Sequence, residues 1–164
     1  MMNEHTTVKR ELVVGIDGSP EALGALRESL QIAEALDARV RVIAAWNWPV
    51  GQGFVPGPPV HWNPEADALE ILKTSMAKVE VPAGVEVITE AAYGDAADIL
   101  IEASRRAYMV LTGSTGAGMA RALFLGSVST RVAQRALCPV MVWRPSAIGL
   151  AADTAIREEL ALSR

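Results

Sequence analysis

Four small residues, Gly113-Ser114-Thr115-Gly116, are followed after nine intervening positions by Gly126-Ser127. A short apolar run at 108–112 (YMVLT) leads into the first group, and an amphipathic segment at 127–137 leads out of the second. The spacing predicts a buried strand, a small-residue loop, and a helix opened by Gly-Ser. Such a loop turns backbone N–H groups and the positive end of a helix dipole toward an anion, most often a phosphate. Glycine suits it because a Cβ blocks both positive φ angles and close approach of a ligand to the backbone. Two better-known phosphate loops do not fit. Gly113 and Gly118 have Walker spacing, but Met119 and Ala120 stand where Lys and Ser/Thr are needed, and no G-x-G-x-x-G is present. A flexible glycine-rich turn between strand and helix is the competing reading at this point.

A second candidate is Asp17, directly after an apolar run at 11–16 (ELVVGI). Asp17-Gly18-Ser19-Pro20 reads equally as a turn and helix cap or as a carboxylate facing a ligand. His5 and His61 fall in segments without periodicity, and no nucleophile–base pair is evident. The only cysteine, Cys138, precedes Pro139 at the entrance to an apolar run and reads as a buried structural thiol. No His/Cys cluster suggests a metal held by the protein alone.

These residues need elements to position them. Strand-like runs are predicted at 11–16, 39–46, 84–91, 108–112 and 139–143. Helices are predicted from Pro20, with Leu23, Leu26, Leu30 and Ala33 inward, and at 64–79, with Leu69, Leu72 and Met76 inward. Further helices are predicted at 96–106, with Ile99, Leu100 and Ala103 inward, and at 127–137. Arg39 and Arg41 alternate with Val40 and Val42, which predicts one wetter face on the second strand. Prolines and glycines at 47–63 exclude regular structure, and the aromatics there (Trp48, Phe54, Trp62) either cover a ligand or, the preferred reading, pack on the sheet edge.

The alternation of strand and helix implies an α/β fold, a five-stranded parallel sheet between helices in a Rossmann-like sandwich. Ligands of such sheets bind beyond the carboxyl ends of the strands, where strand order reverses. Asp17 and the glycine loop both sit at carboxyl ends, so a shared pocket follows. The predicted division is a disordered segment at 1–10, one domain at 11–145, and a weakly helical tail at 146–164.

The chain has 164 residues, 51% of them hydrophobic and 21% charged, with net charge −4. This suits a globular domain and gives no general attraction to nucleic acid or an anionic membrane. No secretory signal and no apolar run approaching the ~20 residues of a membrane span is visible, so a cytoplasmic protein is predicted.

Across roughly 11–144 the chain resembles the universal stress protein family. Gly113, Gly116, Gly126 and Ser127 fill that family's G-x2-G-x9-G-(S/T) signature without a gap. VVGIDGSP at 13–20, GDAADIL at 94–100 and LGSVSTRVAQRALCPVMVW at 125–143 support the match. The resemblance implies an adenine-nucleotide module that binds ATP, with cyclic AMP preferred by some relatives, and a homodimer paired through the last strand, 139–143. It implies Asp17 beneath the nucleotide, directly or through Mg²⁺, and Ala45 offering its backbone to the adenine edge. Gly113 and Gly116 would border ribose and phosphates, while Gly126, Ser127 and Val128 would hold phosphate oxygens. Thr115 departs from the basic residue many relatives carry there; Arg121 reads equally as a substitute cation or as an ordinary exposed loop arginine. Tyr108 stands in place of a common acidic residue. Lacking a Walker lysine, the chain is predicted to be non-catalytic or at most a slow ATPase; an interaction module independent of nucleotide is the alternative.

Overall fold

The structure, a computed structural model, describes residues 9–48, 62–115 and 125–145. Gly116, Arg121, His5, His61, Phe54 and the 146–164 tail lie outside the described residues. Within them the chain runs β1 (Glu11–Gly15), α1 (Pro20–Leu36), β2 (Arg39–Trp46), α2 (Pro64–Met76), β3 (Val87–Tyr93), α3 (Ala96–Ala103), β4 (Met109–Gly113), α4 (Ser127–Arg135) and β5 (Val140–Trp143). All pairings are parallel, in the order β3-β2-β1-β4-β5. The chain therefore builds outward from β1 to β3, returns to the other side of β1, and ends at β5. The reversal lies between β1 and β4.

Period-two alternation divides the core between the two faces of the sheet. Leu12, Val14, Val40, Val42 and Leu111 pack under α1 and α2, against Leu26, Leu30 and Leu72. Val13, Ile43 and Val110 face α3 and α4, against Ala97, Leu100 and Val132. Trp143 lies over Gly24 of α1, where an added Cβ would stand 2.6 Å from the indole ring. The wetter start of β2 is real: Arg39 and Arg41 both pair with Glu11, at 2.8 and 3.0 Å, and Arg41 also reaches Glu90. In the place of an acidic residue, Tyr108 carries the Arg10 guanidinium 5.2 Å above its ring.

Several sequence expectations shift. The third strand starts later than 84, because Gly84 takes φ +90° and Val85 N–H closes a turn on Pro82 C=O at 3.1 Å. It then runs on to Tyr93 beside Trp46. Leu72 is buried and Met76 packs against the core as expected, but Leu69 is 53% exposed, and Pro64, Ala68 and Ser75 complete the buried stripe of α2. The helices α2, α3 and α4 end two to three residues early. Cys138 is half-buried and not buried, and desolvation pushes its thiol pKa up. Trp48 and Trp62 meet each other edge-to-face at 6.2 Å, and Trp62 Nε1 donates to Asp67 at 2.7 Å.

Candidate functional site

Three of the four helices among the described residues begin with a side-chain cap. Ser19 Oγ accepts from Ala22 N–H, Asn63 Oδ1 from Glu65 and Ala66 N–H, and Asp95 Oδ1 from Ala97 and Asp98 N–H. These bonds satisfy donors that a helix leaves unpaired in its first turn. The fourth helix, α4, begins at Gly126 with no side-chain cap bond. Among the described residues, no capping side chain takes its first-turn N–H groups or faces its positive dipole end.

The chain leading to α4 is held at both ends. Ser114 N–H donates to Trp143 C=O at 2.9 Å, and Ser114 C=O accepts from Gly126 N–H at 2.7 Å. Ser129 Oγ lies within reach of the carbonyls of Ser114 and Gly126, at 3.2 and 3.0 Å. The start of α4 is thus fixed beside the carboxyl end of β4. On its far side Arg131 ties α4 to α3 through Asp95 and Asp98, at 2.8 and 2.6 Å. The two amide bonds to Asp95 and the adjacent guanidinium hold its carboxyl below the ordinary range, against a smaller desolvation effect.

A cavity of about 350 Å³ opens at this point, between the carboxyl ends of β1, β2 and β4 and the first turns of α3 and α4. It lies at the reversal in strand order, where open α/β sheets place their ligands. Asp17, Ala45, Gly113, Gly126, Ser127 and Val128, the described candidates from sequence, all line it. Gly116 lies outside the described residues. The lining also includes Gly15, Ile16, Ile43, Leu100 and Thr112, which sequence reasoning did not single out. A period-two count from Val13 and Val110 would have placed Gly15 and Thr112 on the α3/α4 side of the strand ends.

Each candidate has a local reason for its place. Asp17 is exposed at the end of β1, and its Oδ1 accepts from Ser19 N–H at 3.0 Å, ordering the turn into α1. Gly113 is the last residue of β4 and not a loop residue. A Cβ there would stand 2.7 Å from Ala22 N and 2.9 Å from Glu21 C, so close packing of α1 requires glycine. Gly126 differs: its φ of −62° suits any residue, and a Cβ would meet only ordinary contacts from 3.5 Å outward. Among the described residues, neither the backbone nor the surrounding packing demands glycine at Gly126.

Chemically the cavity joins an apolar wall (Ile16, Ile43, Ala45, Leu100) to an open helix N-terminus. It can hold a flat apolar group next to an anion. Among the described residues its only charged lining group is Asp17. Also among the described residues, no group of three His, Cys, Asp or Glu could hold a metal ion, and no helix is long and apolar enough to cross a membrane.

The family model described as the universal stress protein family matches residues 9–144. A universal stress protein of Mycobacterium tuberculosis is 32% identical over 136 residues, covering 82% of this chain and 48% of its own. The chain thus spans about half the length of that relative. A universal stress protein of Methanocaldococcus jannaschii is 31% identical over 142 residues, covering 81% of each chain. Among solved structures, a universal stress protein in complex with cAMP superposes with TM-score 0.62 at 24% identity, covering 84% of this chain and 98% of its own. An Arabidopsis thaliana family member with AMP bound gives TM-score 0.56 at 19% identity, covering 84% and 93%. With the reversed five-stranded parallel sheet, the cavity at its switch point and a family match across 9–144, the chain belongs to the universal stress protein family.

Proposed function

We propose that the chain binds an adenine nucleotide in this cavity and acts as a non-catalytic regulatory module of the stress response. The observation that carries the proposal is the uncapped N-terminus of α4 opening into an apolar-walled cavity. The base would lie against Ile43 and Ala45, and the phosphates would take the amides of Ser127 and Val128 and the Ser127 hydroxyl. Gly113 would border the sugar as the edge of the cavity floor. The nucleotides named in the two solved relatives, cAMP and AMP, support the same ligand class. The primary ligand is ATP, with Mg²⁺ arriving on the phosphates and Asp17 on its side of the site. Regulation then requires that nucleotide bind two states of the protein, or of its homodimer, with different affinity.

One observation favours a second ligand. Thr115, which lines the cavity, supplies no cation, and among the described lining residues neither Lys nor Arg is present. Cyclic AMP, with a single phosphate charge, needs less neutralisation than ATP. A slow ATPase stays a weaker reading, since transition-state charge in phosphoryl transfer calls for positioned cations. Mass spectrometry of small molecules released on denaturing the purified protein tests the ligand class. Recovery of ATP, ADP, AMP or cyclic AMP supports it. A clean preparation that also shows no calorimetric heat with any of the four contradicts it and favours the nucleotide-independent interaction module.

A further inference from the structure

Thr112, which lines the cavity, carries a buried polar atom that no described residue engages. Thr112 is 4% exposed, and its Oγ1 has no hydrogen-bond partner among the described residues. It occupies β4 two positions after Val110, so its side chain falls on the α3/α4 side of the sheet, the side on which the cavity lies. Of the other lining residues, Gly15, Ile43 and Leu100 offer no side-chain acceptor or donor, and the Ser129 hydroxyl is already within reach of the carbonyls of Ser114 and Gly126. A valine of the same shape would fill this place without an unpaired hydroxyl. Burying a hydroxyl without a partner is unfavourable, and native structures seldom leave one so unless a ligand or ordered water meets it.

Its position says which part of a ligand it meets. Ala45 is on β2, Thr112 is on β4, and β1 lies between them, so the two are separated by two strand spacings, roughly 10 Å. The start of α4 is joined to the end of β4 through the Gly126–Ser114 bond. A ligand with its base over β2 and its phosphate at α4 therefore carries its sugar past Thr112. We propose that the Thr112 hydroxyl is a specificity-determining contact to a sugar hydroxyl of the bound nucleotide. This rests on the adenine-nucleotide reading of the cavity and adds selection for a ribose over a sugar lacking that hydroxyl.

The test titrates ATP, 2′-deoxy-ATP and 3′-deoxy-ATP into the wild-type chain, Thr112→Val and Thr112→Ser, with thermal unfolding of each unliganded protein. Thr112→Val should weaken ATP roughly three- to tenfold, the range of one net hydrogen bond. Its unliganded midpoint should be equal to or above that of the wild type, because the unpaired hydroxyl is gone. Thr112→Ser should keep most of the ATP affinity. The loss in Thr112→Val should vanish for the one deoxy analogue that lacks the contacted hydroxyl. Unchanged ATP affinity in Thr112→Val, an equal loss for all three nucleotides, or a lowered unliganded midpoint would overturn the proposal while leaving the nucleotide site standing. No binding of any nucleotide by the wild type would overturn both.

Discussion

At Gly113 an added Cβ would stand 2.7 Å from the Ala22 amide nitrogen, against backbone that cannot swing aside. Gly113→Ala should therefore cost about 1–3 kcal/mol, the usual range for forcing an extra carbon into close packing. Urea denaturation of the two proteins checks this, and equal midpoints would show that α1 yields. The glycine signature was legible as a phosphate motif, yet the structure gives its first glycine a packing duty. Spacing cannot reveal that duty, because it depends on where α1 comes to rest. Asp17 shows the converse. Its two readings, cap and pocket residue, are compatible: the carboxylate orders the turn at Ser19 and also lines the cavity.

At the scale of elements, α3 and α4 form one wall of the cavity and are joined by Arg131 to Asp95 and Asp98. Asp95 also caps α3, so Asp95→Ala should lose roughly 0.5–2 kcal/mol through the cap. Its folded pKa lies below the ordinary 3.8, so the ionised form is the one folding favours. The stabilisation is complete above that ordinary value and is lost as pH falls through the folded pKa. Wild-type stability should thus drop more steeply below pH 3.8 than that of Asp95→Asn, which keeps the cap acceptor without titrating. Parallel acid titrations followed by circular dichroism would show this, and superimposable curves would contradict it. The Ser19 cap was readable because its chemistry is local. Leu69 was misplaced because a single leucine at helical spacing fits two neighbouring stripes, and only the docking of Pro64 and Ala68 chooses between them. The far end of β3 was missed for a similar reason, since Ala92 and Tyr93 join the strand by pairing with Ala45 and Trp46 of β2.

At the scale of the molecule, the alternation of strands and helices carried the fold class, and the strand order β3-β2-β1-β4-β5 turned it into a location. That order puts the ends of β1 and β4 side by side and so brings Asp17 and Gly126, more than a hundred residues apart, to one cavity. β5 ends the sheet on one side, and a homodimer through it is the assembly we propose. Sedimentation equilibrium at micromolar protein should give twice the monomer mass, and a monomer throughout would oppose it. Nucleotide at a hundredfold excess over its Kd should add about 2.7 kcal/mol to the stability. The most direct test of the account lies at the uncapped helix. Gly126→Asp has room for its Cβ at 3.5 Å from the nearest atoms of the described residues, and its carboxylate can cap the Val128 or Ser129 amide. The account predicts that calorimetry of this variant shows nucleotide affinity reduced at least tenfold, by competition for the amides and repulsion of phosphate, in a protein no less stable than the wild type. Undiminished affinity in a folded Gly126→Asp variant would contradict it.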